Sequence, residues 1–215
     1  MFHRILRRMS IHQELLILLG AVILVTSVAF GTVSYTNLKR ELLNGIDSKL
    51  YTAALIAGEV PPGKEKYFDS LESPDSISPE RYDREIVARN NVLSDRLGLQ
   101  YIWSCMLVDG KVRFTTSTSP PRAETPNERH AVADRKHAAF WQVHSDPTAF
   151  NAVFRTMRPD FSSFHNRWGH GRMVLVPAVD SRNRKYCYGA SMSIDNVDVL
   201  LGRNLRQTIF IGVVV

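Results

Sequence analysis

From Leu15 to Tyr35 the chain carries no charged residue. A hydrocarbon core is crossed by roughly 20 apolar residues wound as one helix, because a helix satisfies its backbone polar groups internally. The run LLILLGAVILVTSVAFGTVSY meets that requirement and is expected to span a bilayer. Arg4, Arg7 and Arg8 precede it and favour a cytoplasmic N-terminus, although Lys39, Arg40 and Lys49 on the other side weaken the charge bias. A cleaved secretory signal opens in the same way. Its apolar stretch is about 7–15 residues and ends at a small-residue cleavage site. The present run is longer and no clear Ala-x-Ala follows, which favours an uncleaved anchor. The last residues, TIFIGVVV from Thr208 to Val215, are again apolar and uncharged. They are expected to begin a second span, so that the chain is the input half of a longer protein. The expected organisation is a cytoplasmic N-terminus over 1–14, a first transmembrane helix over 15–35, a folded extracytoplasmic domain over 36–206 and a truncated second span over 207–215.

The middle segment is long enough for one domain with its own core. The formal net charge of +6 and the pI of about 9.5 would suit a nucleic-acid partner. The basic residues are scattered among acids, however, as in Arg81, Arg84, Arg89, Arg96, Arg113, Arg155 and Arg172, so no nucleic acid is expected. Two cysteines, Cys105 and Cys187, form no Cys-x-x-Cys motif, and no P-loop, dinucleotide fingerprint or G-x-S-x-G elbow occurs. No catalysis and no cofactor are therefore expected within these residues. Seven histidines invite a metal, but His130, His137, His144, His165 and His170 lack ligand spacing on any clear helix. They are read as surface residues, with no metal.

After the first span, Leu42, Ile46, Leu50, Ala54 and Ala57 recur at helical spacing, so the membrane helix is expected to run on until Pro61-Pro62-Gly63 stops it. That stripe either pairs two copies of the chain or packs on the domain. Ser78 and Pro79 suit the cap and first residue of a second helix, with Tyr82, Ile86, Leu93 and Leu97 on one face and Gly98 at its end. Next, YIWSCMLV and KVRFTTST flank Asp109-Gly110, which suits a two-residue type I′ hairpin. This fixes a register: Leu107 faces Val112, Cys105 faces Phe114, Met106 faces Arg113, Ser104 faces Thr115, Trp103 faces Thr116 and Ile102 faces Ser117. One surface then carries Tyr101, Trp103, Cys105, Leu107, Val112 and Phe114 and should pack under a helix. The other carries Ser104, Arg113, Thr115 and Ser117 and is either wet or lines a polar pocket. Short helices are expected around Ala131–Val143 and Thr148–Met157. Three more strands follow, DFSSFHN, RMVLVPAV and KYCYGASMS, the last two joined by the turn-rich DSRNR. A final helix from Ser193 leads into the second span. The class is α+β, an antiparallel sheet of about five strands covered by helices on one side.

Two stretches carry a resemblance: LGLQYIWSCMLVDGKVRFTTST and FHNRWGHGRMVLVPAVDSRNRKYCYGASMSID. The first is similar to a strand, Asp-Gly turn and strand, and the second to a pattern of aromatic, Arg-Trp-Gly, apolar-Pro-apolar, Arg-x-Tyr and Gly-Ala. Together they resemble the extracytoplasmic PAS-like, single-Cache sensor domains of bacterial transmembrane receptors. The resemblance implies a periplasmic sensor anchored in the inner membrane as a homodimer, binding a small molecule on the helix-free face of its sheet. It implies relay through the second span to a cytoplasmic histidine kinase, diguanylate cyclase or chemotaxis transducer. It also brings Cys105 and Cys187 onto adjacent strands, where they either bridge or stand as buried thiols.

Within that frame, Arg113 among the hydroxyls of Ser104, Thr115 and Ser117 suits a carboxylate or another small anion, because a guanidinium binds carboxylates with two hydrogen bonds. Arg167, Trp168 and Arg172 suit a pocket rim, or a turn packed on the core. Tyr188 points into a pocket or into the core. A membrane-anchored metal-dependent hydrolase and a ligand-free dimerising spacer are the competing readings.

Overall fold

The computed structural model describes residues 10–59, 67, 70–119, 137–166, 169–194 and 202. The chain divides into two compact units, Gly45–Asp195 and Met1–Asn44 with Asn196–Val215. Helix α1 (Ile11–Glu59) runs without a break, as its sequence stripe implies. It is the one helix among the described residues long and apolar enough to cross a membrane. Between Ile11 and Val33 its large apolar side chains are exposed, among them Leu15, Leu16, Leu24, Val25 and Phe30. The hydroxyls of Thr26 and Thr32 donate at 2.8 Å to the carbonyls of Val22 and Val28, so neither polar group would meet hydrocarbon unpaired. The Pro61-Gly63 stop, the final helix and the second span lie outside the described residues.

The second unit is built on a five-stranded antiparallel sheet. Its strands are β1 (Tyr101–Val108), β2 (Lys111–Thr116), β3 (Asp160–Asn166), β4 (Gly169–Val179) and β5 (Lys185–Ser193), in the order β2-β1-β5-β4-β3. Asp109 and Gly110 have φ of 50° and 70°, the left-handed pair that a type I′ turn needs. Beyond the last pair of strands, Asp180 Oδ1 accepts from the amides of Arg182 and Arg184 and so closes the DSRNR turn. Helix α2 follows the expected start and stop. Ser78 Oγ accepts from the Arg81 amide, and Gly98 ends the helix with φ of 60°. Its middle is wider than an α-helix. An α-turn over Pro79–Arg81 gives way to a π-helical stretch over Tyr82–Val87, then to α-helix over Ala88–Leu97. Helix α3 (Thr148–Thr156) matches the second of the two short helices expected.

Because side chains alternate along a strand, the sheet has two distinct faces. One packs under α1 and α2. There Leu50, Ala53, Ala54 and Ala57 of α1 and Tyr82, Ile86 and Val87 of α2 bury against Ile102, Met106, Val174, Val176, Tyr188 and Ala190. The later part of the α1 stripe, from Ile46 through Leu50 and Ala54 to Ala57, thus packs on the sheet. The other face carries Cys105, Val112, Leu175 and Cys187 under Phe150, Val153 and Phe154 of α3. Helices therefore cover parts of both faces, and the one-sided layering expected from sequence is corrected.

Two further expectations are corrected. The segment expected as helix over 131–143 is not helical in its described part, 137–143. It runs beside the outer edge of β2, with Trp141 N bonded to Phe114 O, Phe114 N to Gln142 O and His144 N to Val112 O. These bonds occupy the free edge of β2, which a helix could not do. The hairpin register holds from Val108 to Cys105 and then slips at a bulge, so that Ser104 pairs with Thr116 rather than Thr115. The Thr118 hydroxyl stabilises the slip by bonding both the amide and the carbonyl of Ile102.

The sheet is tied to α1 by Arg172 of β4. Its Nε and Nη2 donate to the two oxygens of Asp47 at 2.8 and 2.7 Å, with both side chains less than one-fifth exposed. Arg172→Leu and Asp47→Asn are each expected to lower unfolding stability by about 1–3 kcal/mol, because each leaves a charged partner short of its hydrogen bonds. The double variant should cost less than the sum, as measured by urea unfolding of the detergent-solubilised chain.

Candidate functional site

A cavity of about 660 Å³ lies on the α3 side of the sheet, within the usual range for small-molecule sites. Its floor follows from strand register. Ser162 pairs with Met173, Met173 with Ser191 and Ser191 with Tyr101, so these four form one row across β3, β4, β5 and β1, and all line the cavity. In the next row Trp103 stands opposite Gly189, and the indole lies flat over the glycine. A Cβ there would sit 2.1 Å from Trp103 Cε2, so only glycine leaves room for the ring. The wall is aromatic. His144 is held between Phe114 and Phe150, with ring centroids 4.9 and 4.4 Å away.

Polar groups at this site differ in how they are satisfied. Ser191 is 1 % exposed, yet its hydroxyl has no hydrogen-bond partner among the described residues. The Ser162 hydroxyl and the Trp103 indole N–H stand in the same condition. Buried polar atoms are nearly always paired, so three unpaired ones around one cavity mark a surface built to meet something polar. Asp160 at the start of β3 and Asp146 before α3 also line the cavity. Asp146 Oδ1 accepts from the Thr148 amide at 3.1 Å, just ahead of α3. Hydrogen bonds from the Thr148 side chain and amide hold its carboxyl below the usual carboxylate range. Among the described lining residues there is no lysine or arginine.

The residues singled out from sequence are dispersed. Ser117 lines the cavity, but its hydroxyl donates to Ala138 O and accepts from Tyr82. Ser104 and Thr115 are fully buried on the helix-packed face, where the Ser104 hydroxyl bonds those of Thr115 and Thr116 at 2.7 and 2.8 Å. Of the surface they were expected to share with Arg113, Ser117 reaches the cavity while Ser104 and Thr115 do not. Arg113 donates from Nη1 to Trp141 O at 3.2 Å and lies 6.0 Å over the Trp141 ring. Arg172 is engaged by Asp47. Tyr188 is buried among the helix-facing residues, and its phenol donates to Gly58 O. Arg167 and Trp168 lie outside the described residues. The residues the cavity does use, among them Tyr101, Trp103 and Phe114, fall on the surface expected simply to pack under a helix. The alternation in β1 separated the two surfaces correctly. It held no signal for which one α1 would occupy.

Three of the histidines, His137, His144 and His165, line the cavity, each in a different setting. His137 bonds Asp83 at 2.8 Å, His144 sits between two phenylalanines, and His165 and His170 face each other across β3 and β4. His130 lies outside the described residues. Among the described residues no three His, Cys, Asp or Glu side chains are grouped as metal ligands would be.

Gly189→Val should drive a branched side chain into the indole and destabilise the domain by about 1–3 kcal/mol. Adding Trp103→Leu to it should recover part of that loss, a rescue read by urea midpoint. The Asp146–Thr148 hydrogen bond has its own pH signature. A depressed carboxyl pKa stabilises the fold above the ordinary Asp value of about 4 and loses that contribution as pH falls through the depressed value. Melting midpoints of the native chain and Asp146→Ala should therefore differ at pH 6 and converge in acid.

No family model and no curated protein matches this chain. Its similarities to solved structures are to sensory and regulatory domains. One is the sensory domain of the Campylobacter jejuni chemoreceptor Tlp3 (CcmL), at 7 % identity and TM-score 0.34, covering 77 % of this chain and 66 % of that one. The Tlp3 ligand-binding domain in complex with L-valine aligns at 8 % identity and TM-score 0.36, over 79 % and 66 %. A GAF domain of a two-component sensor histidine kinase from Bacillus halodurans aligns at 10 % identity and TM-score 0.30, over 59 % of this chain and 95 % of that one. The chain thus spans just under two thirds of the chemoreceptor domains.

Proposed function

We propose that this chain is the input half of a bacterial inner-membrane receptor, whose periplasmic domain binds a small molecule in the cavity between the sheet and α3. The observation that carries this reading is the cavity floor, where Ser162, Ser191 and Trp103 present buried polar atoms without hydrogen-bond partners among the described residues. The charge of the lining refines it. With Asp146 and Asp160 present and no lysine or arginine among the described lining residues, a neutral or cationic ligand is favoured over the small anion that Arg113 suggested while His137, His144 and His165 are neutral.

The path of the signal follows from alternation along β4. Met173 lines the cavity, while its neighbour Arg172 points to the opposite face and holds Asp47 of α1. A ligand that prefers one placement of β4 would shift the population of α1 positions by its differential affinity for the two states. The output domain, a histidine kinase, diguanylate cyclase or chemotaxis transducer, would lie beyond the second span.

Differential scanning fluorimetry of the full chain in detergent, against amines, amino acids, carboxylates and sugars, tests this reading. At about 100 times its dissociation constant, a true ligand should raise the melting midpoint by about 5–10 °C. Ser191→Ala and Asp160→Asn should each reduce that shift. A panel without a stabilising compound, or a hit untouched by both substitutions, would overturn the cavity as the site.

A further inference from the structure

Cys105 of β1 and Cys187 of β5 stand directly opposite each other in the central strand pair. Both are free thiols and both are fully buried. They lie on the α3 face, one row beyond Trp103 and Gly189. Directly opposed residues of an antiparallel pair have α-carbons about 4.5–5.5 Å apart, inside the roughly 4.4–6.8 Å window of a disulfide.

We propose that Cys105 and Cys187 are a redox pair that closes into a cross-strand disulfide, with access to an oxidant governed by α3. The chemistry balances with a small-molecule disulfide as oxidant. One cysteine thiolate attacks a sulfur of the oxidant and expels its first thiolate, leaving a mixed disulfide. The second cysteine thiolate then attacks the cysteine sulfur of that mixed disulfide and expels the other half. Two protein thiols are oxidised to one disulfide, and one oxidant disulfide is reduced to two thiols, which take up the two protons.

Access is the controlling step because Phe150, Val153 and Phe154 of α3 pack over the pair. Burial also pushes both thiols well above their ordinary pKa, which leaves little thiolate while α3 is docked. Exchange therefore needs α3 to lift, a local opening that costs less than global unfolding. The clamp, once closed, joins the two strands that bring Tyr101, Trp103, Gly189 and Ser191 to the cavity. The inference does not depend on the cavity holding a ligand.

The test uses the full chain in detergent, incubated with oxidised glutathione, then denatured and alkylated with a polyethylene glycol maleimide that retards each free thiol on a gel. The reduced chain should carry two adducts. The oxidised chain should carry none, and dithiothreitol should restore both. Cys105→Ser and Cys187→Ser should each leave one cysteine free of internal pairing. Oxidation should be at least tenfold faster in Phe154→Ala, which thins the cover, and the disulfide should raise the melting midpoint by about 5–15 °C. Two adducts after exhaustive oxidation of both the native chain and Phe154→Ala would overturn the proposal. A disulfide found solely between chains on a non-reducing gel would overturn it as well.

Discussion

The close seating of α1 on one face of the sheet is the constraint on which the rest depends. Ala53, Ala54 and Ala57 present almost no side chain, so the helix backbone comes down onto Val174, Val176 and Ala190 with Leu50 filling the interface. Burying such side chains is worth about 25 cal/mol per Å² of apolar surface, and the benefit is lost if a gap remains. Once α1 occupies that face, α2 must cover the remainder of it. The opposite face is left to α3, a helix too short to cover a five-stranded sheet. The cavity opens at the start of α3, where Thr148, Ala149 and Phe150 form part of its lining.

The two faces treat polar groups in opposite ways. Under α1 and α2 the hydroxyls of Ser104, Thr115, Thr116, Ser117 and Tyr82 are joined to one another or to main-chain carbonyls. Asn90 and Asn91 of α2 fasten the chain that follows β2, through Ser117 O and through Ser119. Burial without partners would cost about 1–3 kcal/mol for each group, so this seam is a condition for packing helices there at all. On the cavity side Ser162, Ser191 and Trp103 are left without such partners. The contrast separates a polar seam that belongs to the core from polar atoms available to a ligand.

Much of the fold was legible before the structure. Local chemistry announced the long helix, the Ser78-Pro79 start and Gly98 end of α2, the Asp109-Gly110 hairpin and the boundaries of β3 and β5. Each depends on residues near one another in sequence, and capping, left-handed turns and alternation are local effects. The errors have a common cause. The slip at Ser104 depends on Thr118 reaching back to Ile102, and the non-helical edge over 141–144 depends on β2 offering unpaired backbone groups. Neither partner is a sequence neighbour. The candidate residues are dispersed for the same reason: a strand pattern rich in hydroxyls reads as wet, yet here those of Ser104, Thr115 and Thr116 pair with each other.

The sequence alone determined that one segment can cross a bilayer, that an α+β domain follows it, and which side chains of each strand share a surface. These follow from helix length, turn stereochemistry and a side-chain period of two, none of which needs a distant partner. Tertiary structure alone decided which surface the helices would bury, and therefore that Tyr101, Trp103, Ser162 and Ser191 line a cavity while Ser104 and Thr115 do not. It also decided that Cys105 meets Cys187, because the order of strands in a sheet is a contest among long-range packings that no local propensity resolves.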